Sequence, residues 1–424
     1  MLQTIIGIFL LLTYVGFVIY AVKGKNLLVG FLVLGLIWAI ASGASYQDIL
    51  SKVVQGGITG AGSLFLTIMF GSWFGRILVE TGITSSIIRK AVELGGDKPL
   101  VVSILLSLVT AAIFTSSFGS GVVIAIGIII LPILMALGVP KNLAIGSYVM
   151  SIATGTIINA VYYNQLSTMI PGVEFTSIVP FCLVAMAINE LCVFAMLFIG
   201  LRKAKTAKPW AEQVNDVIPE GNAPVYSFIV PIVPVLLAIL AKWPILPAFI
   251  VSMVLALLLT GRIFKIKEAV KLIAKTCYDG FSDVALLIGM LSMLHIFIAA
   301  AEYATPIFSN LVGGVIPNNA LLLVLVIALF APIALFRGPL MWWGTGAATV
   351  AVLVGLGIFP NQLLFLVMLV PSTFMATSID PTQGWNMWAM NYGKMTSQDL
   401  IKTTFIYAWV SCALSCVAAY FLAM

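Results

Sequence analysis

Stretch after stretch of this chain stays apolar for about 20 residues, the length an α-helix needs to cross a bilayer. Candidate spans lie near 3–21, 27–43, 58–82, 142–165, 176–200, 226–242, 245–261, 278–301, 361–392 and 400–422. Two further apolar regions, 99–138 and 320–358, are each broken midway by Gly, Ser or Pro. Little polar material separates these runs. Of the 424 residues 62% are hydrophobic and 8% charged, where a soluble domain carries about a quarter charged. Lipid is therefore the solvent for most of the surface, and the domain count that length suggests for a water-soluble chain does not apply.

The net charge of +6 does not signal nucleic acid, because the basic residues sit in short loops between apolar runs, where the positive-inside rule accounts for them. No nucleic-acid partner is expected. The five cysteines, Cys182, Cys192, Cys277, Cys412 and Cys416, form no CxxC pair and lie in or at the edge of apolar segments, so they read as small packing residues. The first apolar run lacks a basic flank and a small-residue cleavage site, which predicts a retained helix.

Placing the N-terminus outside, and letting each broken region enter and leave on one side, sorts the basic residues. Inside fall Lys23 and Lys25; Arg89, Lys90 and Lys98; Lys141; Arg202, Lys203, Lys205 and Lys208; Arg262, Lys265, Lys267, Lys271 and Lys275; and Lys394 and Lys402. Only Lys52 and Lys242 fall outside, Arg76 lies near an inner helix end, and Arg337 is left within the membrane. Both termini are then outside. Reading each broken region as two full crossings gives the same parity, so charge does not separate the two readings.

The most polar stretch, 201–224, divides the chain nearly in half. Gly62, Gly71, Gly95 and Gly96 match Gly280, Gly289, Gly313 and Gly314 at one constant offset, and FTSSFGSG at 114–121 lines up with FRGPLMWWGTG at 336–346. Chance matching among 36 glycines is the alternative. The expected fold is an all-α polytopic membrane protein of two repeats, each with about five spans and a re-entrant helical hairpin. The first repeat covers 1–205, with its hairpin at 99–138 and a broken helix at 142–165. A cytoplasmic linker takes 206–223. The second repeat covers 224–424, with its hairpin at 320–358 and a broken helix at 361–392. Each half crosses an odd number of times, so the second is inverted, and interrupted helices at corresponding places point to a transporter site.

Backbone inside lipid must be hydrogen-bonded or face a cavity, so four non-helical stretches carry the functional reading. The first tip holds Ser116, Ser117, Gly119, Ser120 and Gly121; small residues allow a tight reversal, the free N–H groups of the following arm attract an anion, and tip carbonyls can ligate sodium. The second tip begins at Arg337 and runs on through Gly344, Thr345 and Thr349. An intramembrane arginine costs about 2.5–3.5 kcal/mol on insertion scales, and its planar fork suits a carboxylate; pairing with Asp380 or Glu302 is the alternative. The third stretch runs from Thr154 through Asn159 to Asn164 and Gln165. The fourth holds Thr377, Ser378 and Asp380 before the helix-breaking Pro381. Substrate contacts are expected from Arg337, Ser116, Ser117, Ser120, Asn159, Asn164, Gln165, Gly344, Thr345 and Thr349. The coupling ion is expected at Asp380, Thr377, Ser378, Gly119, Gly121 and Thr154. Packing and interhelical hydrogen bonding are the competing roles for each small or polar residue. His295 reads as a satisfied packing residue, Arg76 and Glu80 as a pair on one helix face, and Glu190 and Glu302 as candidate proton carriers beside expected helix ends.

GSGVVIAIGIIILPILMALGVP at 119–140, and Arg337 followed by GTGAATVAV at 344–352, resemble the ion-transporter superfamily, which includes gluconate:proton symporters, citrate transporters and divalent-anion:sodium symporters. The Ser-Asn-Thr tips of the divalent-anion group and the His-Pro pattern of the gluconate group are absent. The resemblance implies an elevator or rocking transporter, a homodimer, with substrate held between hairpin tips and broken helices. The expected function is symport of a small organic anion, a di- or tricarboxylate or sugar acid, with a proton or sodium, in a bacterial or archaeal inner membrane, without a cofactor. The alternatives are a sodium/proton antiporter and, more remotely, an intramembrane enzyme; HExxH and GxSxG motifs are absent.

Overall fold

The computed structural model describes residues 2–23, 25–204, 223–312 and 318–423. Of the expected linker only Ala223 falls among them, and Gly313 and Gly314 lie outside. Among the described residues every regular element is helical. The first half comprises α1 (Leu2–Val22), α2 (Leu27–Ala41), α3 (Tyr46–Glu80), α4 (Ile83–Gly95), the arms α5 (Pro99–Phe114) and α6 (Ser120–Ala136), the bent pair α7 (Lys141–Thr156) and α8 (Ala160–Ser167), and α9 (Phe175–Lys203). The second half comprises α10 (Val225–Leu240), α11 (Ile245–Leu259), α12 (Ile266–Val312), α13 (Ala320–Phe330), α14 (Gly346–Leu356), α15 (Asn361–Thr377), α16 (Gly384–Tyr392) and α17 (Ser397–Ala423). Among the described residues six helical stretches, with Ala320–Arg337 taken as one, are long and apolar enough to cross a membrane, or seven if α7 and α8, bent by 61°, count as one.

The two halves list their elements in the same order. α10 answers to α1, α11 to α2, α12 to α3 with α4, α13 and α14 to the arms α5 and α6, α15 and α16 to α7 and α8, and α17 to α9. Counterparts pack on each other: α3 lies along α12, and α9 along α17. Glycine makes the first contact close. A Cβ on Gly280 would sit 2.7 Å from the Trp73 Cα, and one on Gly57 2.8 Å from the His295 carbonyl oxygen, so the backbones touch where small residues allow it.

The core sits at the interruptions. α7 is buried throughout Leu143–Thr156, and α15 throughout Leu363–Thr377. Apolar side chains such as Ile5, Leu12, Leu191 and Leu414 are instead exposed on α1, α9 and α17, as lipid-facing surfaces require.

Three expectations change. Residues 83–95, read as part of an inner loop, form α4, with Ile83, Ile88 and Ala91 buried and Lys90 paired to Glu93 at 3.0 Å on the outside. Its charges hid an amphipathic helix from a search for continuous apolar runs. The span expected at 278–301 is a single helix of 47 residues, about 70 Å long at 1.5 Å per residue; the first half breaks the equivalent run at Ala61 and again before Ile83. Glu190 lies in the middle of α9 and is buried.

Inversion of the repeats is open to direct test. Single cysteines replacing Lys98 and Lys141 should react with a membrane-impermeant maleimide from one face, and those replacing Asn318 and Asn361 from the other. Labelling of all four from the same face would exclude the inversion.

Candidate functional site

The first arm ends at Phe114, and residues 115–119 reverse the chain with Gly119 at φ 103°. One side chain secures this reversal. The Asn159 amide donates to the carbonyl oxygens of Phe114 (2.9 Å) and Ser117 (3.0 Å), while its own oxygen accepts from the Val161 N–H (2.9 Å) and caps α8. The break between α7 and α8 thus holds the tip of the hairpin. Asn159 spends its hydrogen bonds on backbone, which makes it a positioning residue for the tip.

The second tip is a strained coil. Phe336 (φ 56°) and Arg337 (φ 61°) occupy the left-handed region in succession, costly for side chains that carry a Cβ. The Arg337 carbonyl accepts from both the N–H (2.9 Å) and the hydroxyl (3.1 Å) of Thr345. Gly344 is required there, because a Cβ would overlap the Arg337 carbonyl. The break between α15 and α16 closes over this coil. Asp380, fully buried, accepts from the Thr382 N–H and hydroxyl (both 2.8 Å) and from the Arg337 N–H (3.3 Å). The guanidinium donates to the Thr382 carbonyl at 3.3 Å. Arg337 and Asp380 are therefore neighbours joined through backbone, and among the described residues no carboxylate lies within salt-bridge distance of the guanidinium.

Aromatic rings join the four stretches. Phe118 of the first tip and Trp343 of the second lie 6.3 Å apart, centroid to centroid; Tyr162 of the first break lies 4.9 Å from Trp343; Trp385 of the second break lies 6.4 Å from Phe118. The Tyr162 hydroxyl shares a 2.8 Å hydrogen bond with the Thr377 hydroxyl, linking the two breaks. Residue types in the breaks point to Thr377 but not to Tyr162, Trp385 or Asn386: aromatic rings on an apolar span resemble packing residues until their neighbours are known, and Asn386 lies beyond the polar run that ends at Gln383. Asn386 donates to the carbonyls of Thr377 (3.2 Å) and Asp380 (3.0 Å).

Within this junction several buried polar groups have no hydrogen-bond partner among the described residues: the hydroxyls of Ser116 and Ser117, the Gln165 amide nitrogen and the Trp343 indole N–H, together with the acceptor oxygens of Gln383 and Asn386. Buried polar groups are normally paired. Here four unpaired donors sit on the two tips and the first break, and two unpaired acceptors on the second break beside Asp380.

Other expected residues are elsewhere or differently engaged. Ser120 reaches the Asp283 carbonyl at 3.4 Å, and Gly119 packs against Ser72, whose hydroxyl oxygen would lie 2.8 Å from an added Cβ. Ser378 bonds the Phe374 carbonyl of its own helix. The Thr349 hydroxyl faces Tyr14 of α1 at 3.0 Å. Asn164 donates to Thr67 at 3.2 Å and lines a separate groove of about 560 Å³ with Ser63, Glu174 and Lys242. Thr154 joins Glu190 and Asn189, not the tips. Arg76 does not pair with Glu80. It grips Asp283 of α12 through two bonds of 2.6 and 2.7 Å, and Glu80 pairs with Lys275 at 2.7 Å. Gly121 lies directly on the Arg76–Asp283 pair, where any Cβ would overlap both side chains. His295 is satisfied as expected, with the Leu291 carbonyl at 2.8 Å and the Thr168 hydroxyl at 3.2 Å. Among the described residues no group of three or more His, Cys, Asp or Glu side chains is placed to hold a metal ion.

No known family profile matches the chain, and no curated protein matches it. In structure it is similar to the Alcanivorax borkumensis YdaH transporter, with a TM-score of 0.64 over 93% of this chain and 96% of that one, at 13% sequence identity. The likeness is one of fold: this is a multi-pass membrane protein with the architecture of a transporter. The narrower superfamily rests on its motifs alone.

The pair beneath the first tip makes a stability prediction. Arg76→Met, which strands Asp283, should cost about 2 kcal/mol and lower the thermal midpoint. Adding Asp283→Met should recover at least half of the loss, since neither charge is then left alone. A double variant less stable than the single one would show that the pair contributes no such coupling.

Proposed function

We propose that the chain is a secondary active transporter that moves a small organic anion with a coupling cation. The observation that carries this reading is the set of unpaired buried donors, Ser116, Ser117, Gln165 and Trp343, at the junction of two hairpin tips and two broken helices. A carboxylate offers acceptors only, and it satisfies such donors without bringing a competing proton. Arg337, whose guanidinium meets a single carbonyl at 3.3 Å, supplies the opposite charge. Asp380, with the free oxygens of Gln383 and Asn386 nearby in sequence, supplies the cation side. Because Asp380 of the second break holds the backbone of the coil that carries Arg337, the two ligands are thermodynamically dependent: a cation that draws the Asp380 carboxylate changes the backbone that positions Arg337, and the reverse follows by linkage.

In this reading the two repeats are inverted, the coupling ion is a proton or sodium, and the protein works in a prokaryotic inner membrane as a homodimer, as the resemblance to the ion-transporter superfamily implies. Substrate enters when a tip withdraws from the aromatic junction.

Uptake into proteoliposomes tests the proposal. Radiolabelled citrate, succinate, malate, gluconate and lactate would each be offered with a sodium gradient, a proton gradient or neither. The expected result is gradient-driven uptake of at least one carboxylate, lost in Arg337→Ala and uncoupled from the gradient in Asp380→Asn. Absence of any anion uptake, with sodium-dependent proton movement abolished by Asp380→Asn, would replace the symporter with a sodium/proton antiporter.

A further inference from the structure

Glu190 lies at the middle of α9, 6% exposed, away from the tips. Ser107 of the hairpin arm α5 donates its hydroxyl to one carboxylate oxygen, and Thr154 of α7 donates to the other at 2.9 Å. The neighbouring Asn189, fully buried, seats its amide on the Thr154 hydroxyl (2.7 Å) and the Met150 carbonyl (3.1 Å), and its own oxygen has no partner. Three elements of the first half, the hairpin arm, the first broken helix and α9, therefore meet on one carboxyl group.

Among the described residues no charged side chain on α9, or on the elements packed against it, lies beside this carboxyl group. α5, α15 and residues 233–240 of α10 carry no charged residue; α7 carries only Lys141, its first residue; α17 carries only Asp399 and Lys402, in its first turns; α9 itself otherwise carries Arg202 and Lys203 at its far end. The other titratable side chains on these elements are Tyr148, whose hydroxyl donates to the Val123 carbonyl at 2.5 Å, Tyr407, Tyr420 and the cysteines Cys182, Cys192, Cys412 and Cys416. A carboxyl group in a spanning helix without a cationic partner marks a proton or ion pathway.

We propose that Glu190 is a second proton-binding site, distinct from the tip site, whose occupancy is coupled to the position of the first hairpin through Ser107. The carboxylate takes a proton from water on one side and returns it to water on the other, and no other bond changes. Because Ser107 rides on the arm α5 while Glu190 stays on α9, displacing the arm removes one of the two hydroxyls that hold the carboxylate. The proton affinity then differs between hairpin positions, and that difference is what coupling requires. The coupling role rests on the transport reading; the binding site does not.

Infrared difference spectroscopy of the full chain in liposomes, without substrate, reads the site directly. In an Asp380→Asn background, the expected result is a carboxylic-acid C=O band that titrates with pH, is lost in Glu190→Gln and is displaced in Ser107→Ala, a variant that keeps the carboxyl and covers the case in which Glu190→Gln does not fold. Identical spectra with and without Glu190, or a band that responds to sodium and not to pH, would overturn the proposal. If the band behaves as expected while no anion is taken up, the transport reading fails and the proton site stands.

Discussion

Backbone that leaves the helix inside an apolar interior must find its hydrogen bonds in protein, and one amide governs how this chain manages it. Asn159 closes the first hairpin tip by donating to two of its carbonyls and at the same moment caps the helix that restarts after the first break. Tip and break are thus mutually dependent. The second half solves the same problem differently: Asp380 and Thr345 secure the coil at Arg337, and Ser372 accepts from the Trp342 N–H while donating to the Leu340 carbonyl. Each interruption is stable only because another lies against it.

That dependence explains why chemistry collects at the junction. Once four interruptions are packed together, their backbone demands are met by a few side chains, and the remaining hydroxyl, amide and indole groups are buried with nothing to bond. Such groups are costly while unpaired and become favourable contacts to a ligand of the right polarity. The consecutive left-handed residues Phe336 and Arg337 add backbone strain at the same place. The Arg76–Asp283 pair underlies the first tip from outside the junction, joining counterpart helices α3 and α12, so the tip rests on a contact between the two halves.

Much of this was legible in the sequence. Gly, Ser and Pro within apolar runs marked where the helices are interrupted, because backbone that leaves the helix needs residues that turn tightly or lack a donor. What was not legible is the direction in which each side chain points. Successive helical residues rotate by about 100°, so Asn164, five residues after Asn159, faces α3 and a different groove; Thr349, one turn beyond Thr345, keeps to its face, and that face meets Tyr14 of α1, whose hydroxyl also reaches the Thr345 carbonyl at 3.2 Å. Thr154 shares a break with Asn159 but belongs to the Glu190 cluster. Tyr162 and Trp385 carry no signal by type in a chain with 12 tyrosines and 9 tryptophans; only the meeting of the tips gives them a role.

In the proposed function the transported anion sits at the junction of tips and breaks. The most direct test of this placement is ligand protection. In a chain freed of its native cysteines, the rate at which a small thiol reagent modifies Ser117→Cys would be measured with and without a transported carboxylate, beside Asn164→Cys in the separate groove. With the anion at the junction, the carboxylate slows labelling at Ser117→Cys and leaves Asn164→Cys unchanged. Protection at Asn164→Cys alone would place the anion in the groove and contradict this placement.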